Sequence, residues 1–239
     1  ENLSPRVILG NNVIVLKGFM GKIKMLSRYS NKIGKIFLIL ACTIQFAWAN
    51  SVIDASATSI PMKPHDVVEQ VTEKLLKTID NHRESFANNP EDFFDELDHL
   101  LINVIDFDWI AYRVMGKYAK ISSPDQRKRF AYIFRRELIE TYGRGLLSYG
   151  EQSILVVPPK EDIGDLKSTR VVQEIRGPDG VFPLIYSMSL TRSGSWKVTN
   201  LVINGINLGK IFRNQFSQRA RKLEGDIDKV INTWSSSGN

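Results

Sequence analysis

Residues 168–203 read STRVVQEIRGPDGVFPLIYSMSLTRSGSWKVTNLVI, and this stretch decides the fold class. Its apolar residues, many of them β-branched, alternate with polar ones, which is typical of strands with one face on a core. Gly177-Pro178-Asp179-Gly180 and Ser193-Gly194 break the alternation as turns. Connections this short predict an antiparallel meander. With one segment upstream, the sequence predicts four strands, at Ser153–Val157, Ser168–Ile175, Val181–Leu190 and Ser195–Ile203.

Helical periodicity precedes and follows these strands. From His65 onward apolar residues recur about every four positions, and the same period returns after Asn204-Gly205. The order of helices, strand meander and helices predicts an α+β fold rather than an alternating α/β fold. We expect the helices to pack over a curved four-stranded antiparallel sheet, with an apolar cavity between the two layers.

Several helix boundaries can be predicted from individual residues. Asp106 is placed as a helix N-cap, and a final short helix is expected to start near Asp226. Ser123-Pro124-Asp125-Gln126 combines a hydroxyl cap, a proline at the first helical position and a glutamine that closes a capping box. The long helix that follows is expected to end at Gly150. Inside it, the paired glycines of Gly143-Arg144-Gly145 predict a bend or a close approach of another backbone.

The first fifty residues differ in character from the rest. Residues 20–49 have a basic start, an apolar run from Ile36 and the small-x-small ending Ala47-Trp48-Ala49, which together predict a secretory signal peptide cleaved after Ala49. The run is too short for a bilayer-spanning helix. Residues 1–19 are interpreted as sequence upstream of the true start. Residues 50–64 are expected to form a flexible tail, and residues 65–239 a single domain.

The net charge of +6 is confined to this leader. Residues 1–49 hold seven of the 32 basic and one of the 26 acidic side chains, which leaves 25 of each in the remainder. A neutral body argues against general affinity for nucleic acid, which requires many phosphate contacts from Lys and Arg. No nucleic-acid partner is therefore expected.

Motifs for catalysis or metal binding are absent from the sequence. His65, His82 and His99 are spaced by seventeen residues and have no cysteine nearby, so no metal site is predicted. Asp106 and Asp108 offer two close carboxylates, but acidic residues at a helix start also cap it and favour its dipole. Two alternatives stay open beside a ligand carrier: a small cavity enzyme with Asp106 or Asp108 as its base, and a non-catalytic adaptor with a filled core.

Three blocks of sequence resemble the MlaC, or toluene-tolerance, family, the periplasmic phospholipid-binding component of the Mla lipid-transport pathway. The first block is Val114-Met115-Gly116-Lys117-Tyr118 with Ser123-Pro124-Asp125-Gln126-Arg127 and Phe130. The second block is Phe134, Leu138, Thr141-Tyr142, Leu146 and Tyr149-Gly150. The third block is Trp196-Lys197-Val198, Val202-Ile203, Gly205-Ile206-Asn207-Leu208, Arg213-Asn214-Gln215-Phe216 and Gly225-Asp226-Ile227-Asp228. The resemblance spans roughly residues 67–234. The chain departs from the family pattern with Tyr118 for a frequent tryptophan, Asn200 for the usual aspartate and Asn207 for a common serine.

The resemblance implies a periplasmic carrier without catalytic activity or cofactor, whose cargo is a phospholipid. It implies delivery between an outer-membrane lipoprotein complex and an inner-membrane ABC transporter with an MCE-domain subunit, which maintains outer-membrane asymmetry. A monomer is expected. Helical stripes and strand alternation then predict the residues that line the lipid site: Phe107, Ile110, Val114, Phe130, Phe134, Leu138, Tyr142, Tyr186, Met188, Trp196, Val198, Phe212 and Phe216.

Overall fold

A computed structural model describes residues 62–150, 152–161 and 163–234. Its helices are α1 (Pro64–His82), α2 (Pro90–Ile102), α3 (Phe107–Met115), a 3-10 turn (Gly116–Lys120), α4 (Pro124–Leu146), α5 (Leu208–Lys222) and α6 (Ile227–Asn232). Its strands are β1 (Ser153–Val156), β2 (Ser168–Gly177), β3 (Gly180–Leu190), β4 (Trp196–Ile203) and β5 (Ile206–Asn207). The interpretations of residues 1–19, of the signal peptide at 20–49 and of most of the tail at 50–64 lie outside the described residues. Pro64, at the predicted end of that tail, is buried and already begins α1.

The predicted N-cap at Asp106 and the predicted start of the last helix near Asp226 are confirmed. The carboxylate of Asp106 accepts a hydrogen bond from the backbone N–H of Trp109, and that of Asp226 accepts one from Lys229. Ser123 and Gln126 form both hydrogen bonds of a capping box at the start of α4. These side chains satisfy backbone donors that the first turn of a helix leaves unpaired.

Helix α4 ends at Leu146, earlier than the predicted end at Gly150. It continues through Gly143, where two side chains approach closely, and not another backbone as was predicted. A Cβ at this position would lie 2.9 Å from Cδ1 of Leu97 and 3.3 Å from Cε1 of Phe94, both on α2. The missing side chain therefore lets α2 lie directly against α4.

The sheet has five strands in the order β1-β2-β3-β4-β5, all antiparallel, and not the four that were predicted. The additional strand, β5, is only two residues long and pairs with the end of β4. Its alternation is too short to be recognised in a sequence, where Asn204-Gly205 indicates only a turn. The predicted meander is confirmed.

A bulge in β4 determines which residues share a face. Met188 of β3 pairs with Val198, whereas the preceding Ser187 pairs with Asn200, so Thr199 is the extra residue. An extra residue shifts the alternation by one position. The face that contains Trp196 and Val198 therefore continues with Leu201 and Ile203. We call this the inner face, because it carries the buried residues of the sheet.

Three separate clusters of buried side chains hold the fold together. The helical core comprises Ala111, Val114, Met115, Tyr118, Ala119, Phe130, Ala131, Phe134, Phe216, Ala220, Ile227, Val230, Ile231 and Trp234. The sheet core comprises Val68, Val171, Met188, Trp196 and Val198, and the α2 core comprises Ile79, Phe93, Phe94, Leu97 and Ile139. Among the described residues, no strand residue belongs to the helical core. The helices thus pack mainly on one another, and only α1 supplies a fully buried side chain to the sheet core.

Asn200 ties the start of α5 to the sheet. Its side-chain Oδ1 accepts a hydrogen bond from the backbone N–H of Gly209 at 3.2 Å, while Oδ1 of Asn207 accepts one from Lys210 at 3.0 Å. Two of the unpaired donors of the helix are satisfied in this way. Asn200 thereby supplies a carbonyl oxygen where the related family usually has an aspartate carboxylate.

An Asn200→Ala variant is expected to lose about 1 kcal/mol of unfolding free energy, because the N–H of Gly209 is left without its acceptor. Asn200→Asp should match or exceed the original stability, since a carboxylate near a helix N-terminus is favoured by the helix dipole. Urea unfolding followed by circular dichroism would measure both. Equal stability of Asn200→Ala and the original chain would show that this hydrogen bond contributes nothing.

Candidate ligand-binding site

The inner face of the sheet is covered over only part of its length. Val171, Met188, Trp196 and Val198 are buried and pack with Val68 of α1. The rest of the face, towards the β2–β3 turn, is apolar but only half-buried. Its members are Ile154, Val156, Ile175, Phe182, Leu184, Leu201, Ile203 and Ile206. A contiguous apolar surface on the inside of the fold is thus left accessible.

Some apolar side chains of the helices are also only half-buried. Ile110, Leu138 and Phe212 pack against the helical core yet remain half-buried. Tyr142 lies one helical turn beyond Leu138 on α4 and is also half-buried. Helices and sheet therefore each carry apolar side chains that the fold covers incompletely.

Tyr186 lies between the buried and the half-buried parts of the inner face. Burial raises its pKa far above the ordinary tyrosine range. Burial, followed by the charge of Glu137, also raises the pKa of Tyr142. The two phenols therefore lie in low-polarity surroundings.

One polar chain crosses the otherwise apolar inner face. The Tyr186 hydroxyl donates to Oε1 of Gln173 at 2.8 Å, and Nε2 of Gln173 donates to Oγ1 of Thr72 at 2.7 Å. Thr72 in turn donates to the carbonyl of Val68 at 2.7 Å. Gln173 is 3% exposed, so an unpaired amide there would be costly. The chain fixes α1 to the sheet without leaving a free polar group towards the accessible half of the face.

Tyr186→Phe is expected to lower the unfolding free energy by about 1–3 kcal/mol, because Oε1 of Gln173 loses its donor. Above about pH 10, the ordinary tyrosine pKa, the unfolding free energy of the variant should also fall less steeply with rising pH than that of the original chain. In the original chain the unfolded state releases the Tyr186 proton there while the folded state keeps it, so stability falls as pH rises. Denaturant titrations at pH 8 and pH 11 would measure both effects. Equal pH slopes for the two proteins would contradict the assignment.

A second concavity lies on the other side of α1. This groove, between α1, α2 and the β3–β4 turn, has a volume of about 1010 Å³. Its apolar wall consists of Val67, Val71, Leu100, Val104 and Trp196, and its polar lining includes Lys74, Lys77, Glu96, His99 and Asn103. Val68 and Thr72 point from α1 to the sheet instead. The groove reaches the covered end of the inner face, because Trp196 belongs to both.

The two carboxylates considered as a catalytic base lie at the start of helix α3. Asp106 caps α3, and Asp108 is exposed. Within residues 62–150, 152–161 and 163–234 there is no group of three or more His, Cys, Asp or Glu side chains able to hold a metal ion. In the same residues, no helix is long and apolar enough to cross a bilayer.

Comparison with known proteins agrees with this fold. The family model described as MlaC protein matches residues 69–236. The chain belongs to the MlaC family. It is 39% identical to the toluene tolerance protein ttg2D of Pseudomonas putida over 174 residues, which is 72% of this chain and 80% of the relative. It is 24% identical to the intermembrane phospholipid transport system binding protein MlaC of Haemophilus influenzae over 61% of this chain and 69% of the relative.

A solved structure supports the MlaC fold independently. The phospholipid-binding protein from Ralstonia solanacearum, determined in complex with a phospholipid, aligns with a TM-score of 0.67. The alignment covers 74% of this chain and 97% of that protein at 21% identity. The predicted α+β class is confirmed.

The thirteen residues predicted to line a lipid site divide into two groups in this MlaC-family fold. Eight are buried in packed clusters or beside them: Phe107, Val114, Phe130, Phe134, Met188, Trp196, Val198 and Phe216. Five retain accessible surface: Ile110, Leu138, Tyr142, Tyr186 and Phe212. Contact of any of them with a lipid stays a prediction. Only the second group has surface available to a ligand without a rearrangement.

The predicted strand phase is correct for Tyr186, Met188, Trp196 and Val198, which share the inner face. The accessible half of that face was missed. Leu201 and Ile203 lie beyond the bulge, where extending the alternation from Val198 leads to Asn200 and Val202 on the wrong face. A usable signal was present, because polar Asn200 beside apolar Leu201 already indicates a change of phase.

Proposed function

We propose that this chain binds a phospholipid and carries it between membranes, with the acyl tails against the accessible half of the inner face. One observation carries the proposal: apolar residues of all five strands are half-buried on the inner face of the sheet. Membership of the MlaC family supports the choice of ligand, as do relatives named for phospholipid binding and transport. A non-enzymatic role is part of the proposal.

The hydrophobic effect explains why such a site suits the task. Each buried methylene stabilises the bound lipid by about 0.8 kcal/mol, so the tails leave a membrane only if most of their surface is covered. An apolar lining with few polar groups meets that need. Among the described residues, the linked polar side chains on this part of the face are those of Thr72, Gln173 and Tyr186, and they already form hydrogen bonds within the protein. The acyl tails would therefore leave none of these three side chains without a partner.

The groove beyond α1 is less suited to acyl tails. Charged and polar side chains, among them Lys74, Lys77 and Glu96, line it together with its apolar wall. Buried tails would strip water from those side chains without replacing their hydrogen bonds. We therefore assign the tails to the inner face and not to the groove.

Cellular placement follows from the N-terminal sequence and from the family. A signal peptide would export the chain to the periplasm, where a soluble carrier is needed between two membranes. Its expected partners are an outer-membrane lipoprotein complex and an inner-membrane MCE-domain ABC transporter. Exchange with them would maintain outer-membrane lipid asymmetry.

Native mass spectrometry of the protein purified from periplasm, with lipid extraction in parallel, tests the proposal. A stoichiometric mass increment that matches a phospholipid is the expected result, and it also identifies the headgroup and the number of acyl chains. A protein that is free of lipid, and stays so after incubation with phospholipid vesicles, would overturn the carrier and favour the adaptor.

A further inference from the structure

Helix α3 presents two aromatic side chains to solvent. Trp109 is 47% exposed and Tyr112 is 40% exposed, and their rings stack with centroids 6.4 Å apart and an interplanar angle of 16°. The opposite side of α3, with Ala111 and Val114, is buried in the helical core. Large exposed aromatics that lie side by side are unusual on a soluble surface and mark a surface that contacts something else.

Arg113 is the cation that contacts this aromatic pair, and the exposed Asp108 directly precedes Trp109. The Arg113 guanidinium lies 5.8 Å from the centre of the Trp109 ring. Lys117 and Arg213 follow next to Gly116, where a Cβ would lie 3.0 Å from Nε of Arg213. Among the described residues, no carboxylate lies within salt-bridge distance of these three cations. We call Trp109, Tyr112, Arg113, Lys117 and Arg213 the basic aromatic face.

Charge is distributed unequally between the helices. Helix α5, which contributes Arg213, has five Lys or Arg residues and no Asp or Glu. Helix α2 has five Asp or Glu residues and no Lys or Arg. Residues 50–239 are neutral as a whole, so acidic residues elsewhere in the domain balance the local positive charge of α5. Local positive charge attracts an anionic surface before contact.

We propose that the basic aromatic face docks on the surface of an anionic phospholipid bilayer. Tryptophan and tyrosine favour the bilayer interface, because their rings are apolar and their N–H or O–H remains hydrated. Cations beside them attract anionic headgroups within a Debye length. The contact goes beyond the cargo site, because it concerns how the carrier meets a membrane and not what it carries.

Vesicle co-sedimentation tests the proposal with the protein purified from periplasm. The chain should bind vesicles that contain phosphatidylglycerol, and should bind pure phosphatidylcholine vesicles far more weakly. Arg113→Gln with Lys117→Gln should weaken binding about thirtyfold at low salt, from about 1 kcal/mol for each cation removed. Binding should also fall in 1 M salt, where the Debye length is about 3 Å.

Tryptophan fluorescence gives a second readout that does not depend on the charge variants. Trp196 and Trp234 are 8% and 5% exposed, so Trp109 is the exposed tryptophan of the described residues. Its emission should shift to shorter wavelength when anionic vesicles are added. Trp109→Phe should abolish this shift.

Tyr132→Ala is the matched control. Tyr132 is 58% exposed and also lies against an arginine, Arg135, at 5.6 Å. That arginine is paired with Asp98 at 2.9 Å, whereas Arg113 has no carboxylate partner among the described residues. Vesicle binding should be unchanged in this variant. A loss of binding as large as in the double variant would overturn the proposal.

Two further outcomes would overturn the docking surface. One is equal binding of the original chain and the Arg113→Gln, Lys117→Gln variant to anionic vesicles. The other is that a variant of this face binds vesicles as the original chain does but no longer crosslinks to a protein. That result would assign the face to a protein partner and not to a bilayer. Native mass spectrometry of the same samples separates this test from that of the cargo site, because phospholipid load should be equal in all variants.

Discussion

Leu184→Asp is expected to purify without phospholipid. Leu184 lies in the middle of the accessible half of the inner face, paired with Gln173 on one side and Ile203 on the other. A carboxylate there would lose its hydration when acyl tails cover it, at a cost of several kcal/mol. Each 1.4 kcal/mol is about tenfold in affinity, so lipid occupancy should fall below detection by native mass spectrometry. Without lipid the carboxylate stays hydrated, and the fold should persist.

Ile185→Asp is the control for this variant. Ile185 is the next residue of the same strand, is also half-buried and lies on the opposite face, paired with Val172 and Val202. Both variants introduce the same charge into the same strand, and the two positions lie on opposite faces of the sheet. Ile185→Asp should retain its phospholipid. If it loses lipid and Leu184→Asp does not, the tails lie on the other face of the sheet.

Local sequence signals predicted most of the fold. The capping box at Ser123, the N-cap at Asp106 and the turns between strands are each made by a few neighbouring residues, so they can be recognised without knowledge of the rest of the chain. Strand β5 and the bulge at Thr199 depend on pairing with a distant segment. The bulge is indicated only by the change of phase at Asn200 and Leu201, and β5, with two residues, is too short to show an alternation.

Burial was harder to predict than secondary structure. The aromatic residues Phe130, Phe134 and Phe216 follow the same helical periodicity whether they pack on other helices or face a ligand. The structure places all three, fully buried, in a core made of helices alone. Leu184 and Leu201 attract less attention in the sequence, yet they have the accessible surface. Periodicity reports which side of an element is apolar, but it does not report whether that side is filled.

Phe134→Ala is expected to lower the unfolding free energy by about 3–5 kcal/mol, the usual cost of removing a fully buried phenylalanine. Phe134 is 0% exposed, and its ring lies 5.6 Å from Phe130, 5.2 Å from Phe212 and 6.1 Å from Trp234. The alanine leaves a cavity between rings that the rest of the helical core holds in place. Urea unfolding of delipidated protein is the appropriate measurement, because bound lipid would itself stabilise the folded state.

Phe134→Leu decides whether this side chain supports the fold or touches the ligand. The substitution keeps most of the volume, so it should cost about 1.5 kcal/mol or less. If Phe134 belongs to the core alone, the folded variant should carry phospholipid at the original stoichiometry. An unchanged urea midpoint together with loss of lipid would instead place Phe134 in the cargo site, as its helical stripe predicted. Phe212 packs on Phe134 but is only half-buried, so it should respond in the opposite way. Phe212→Ala should lower the unfolding free energy less than Phe134→Ala does, and it should lower the phospholipid content more.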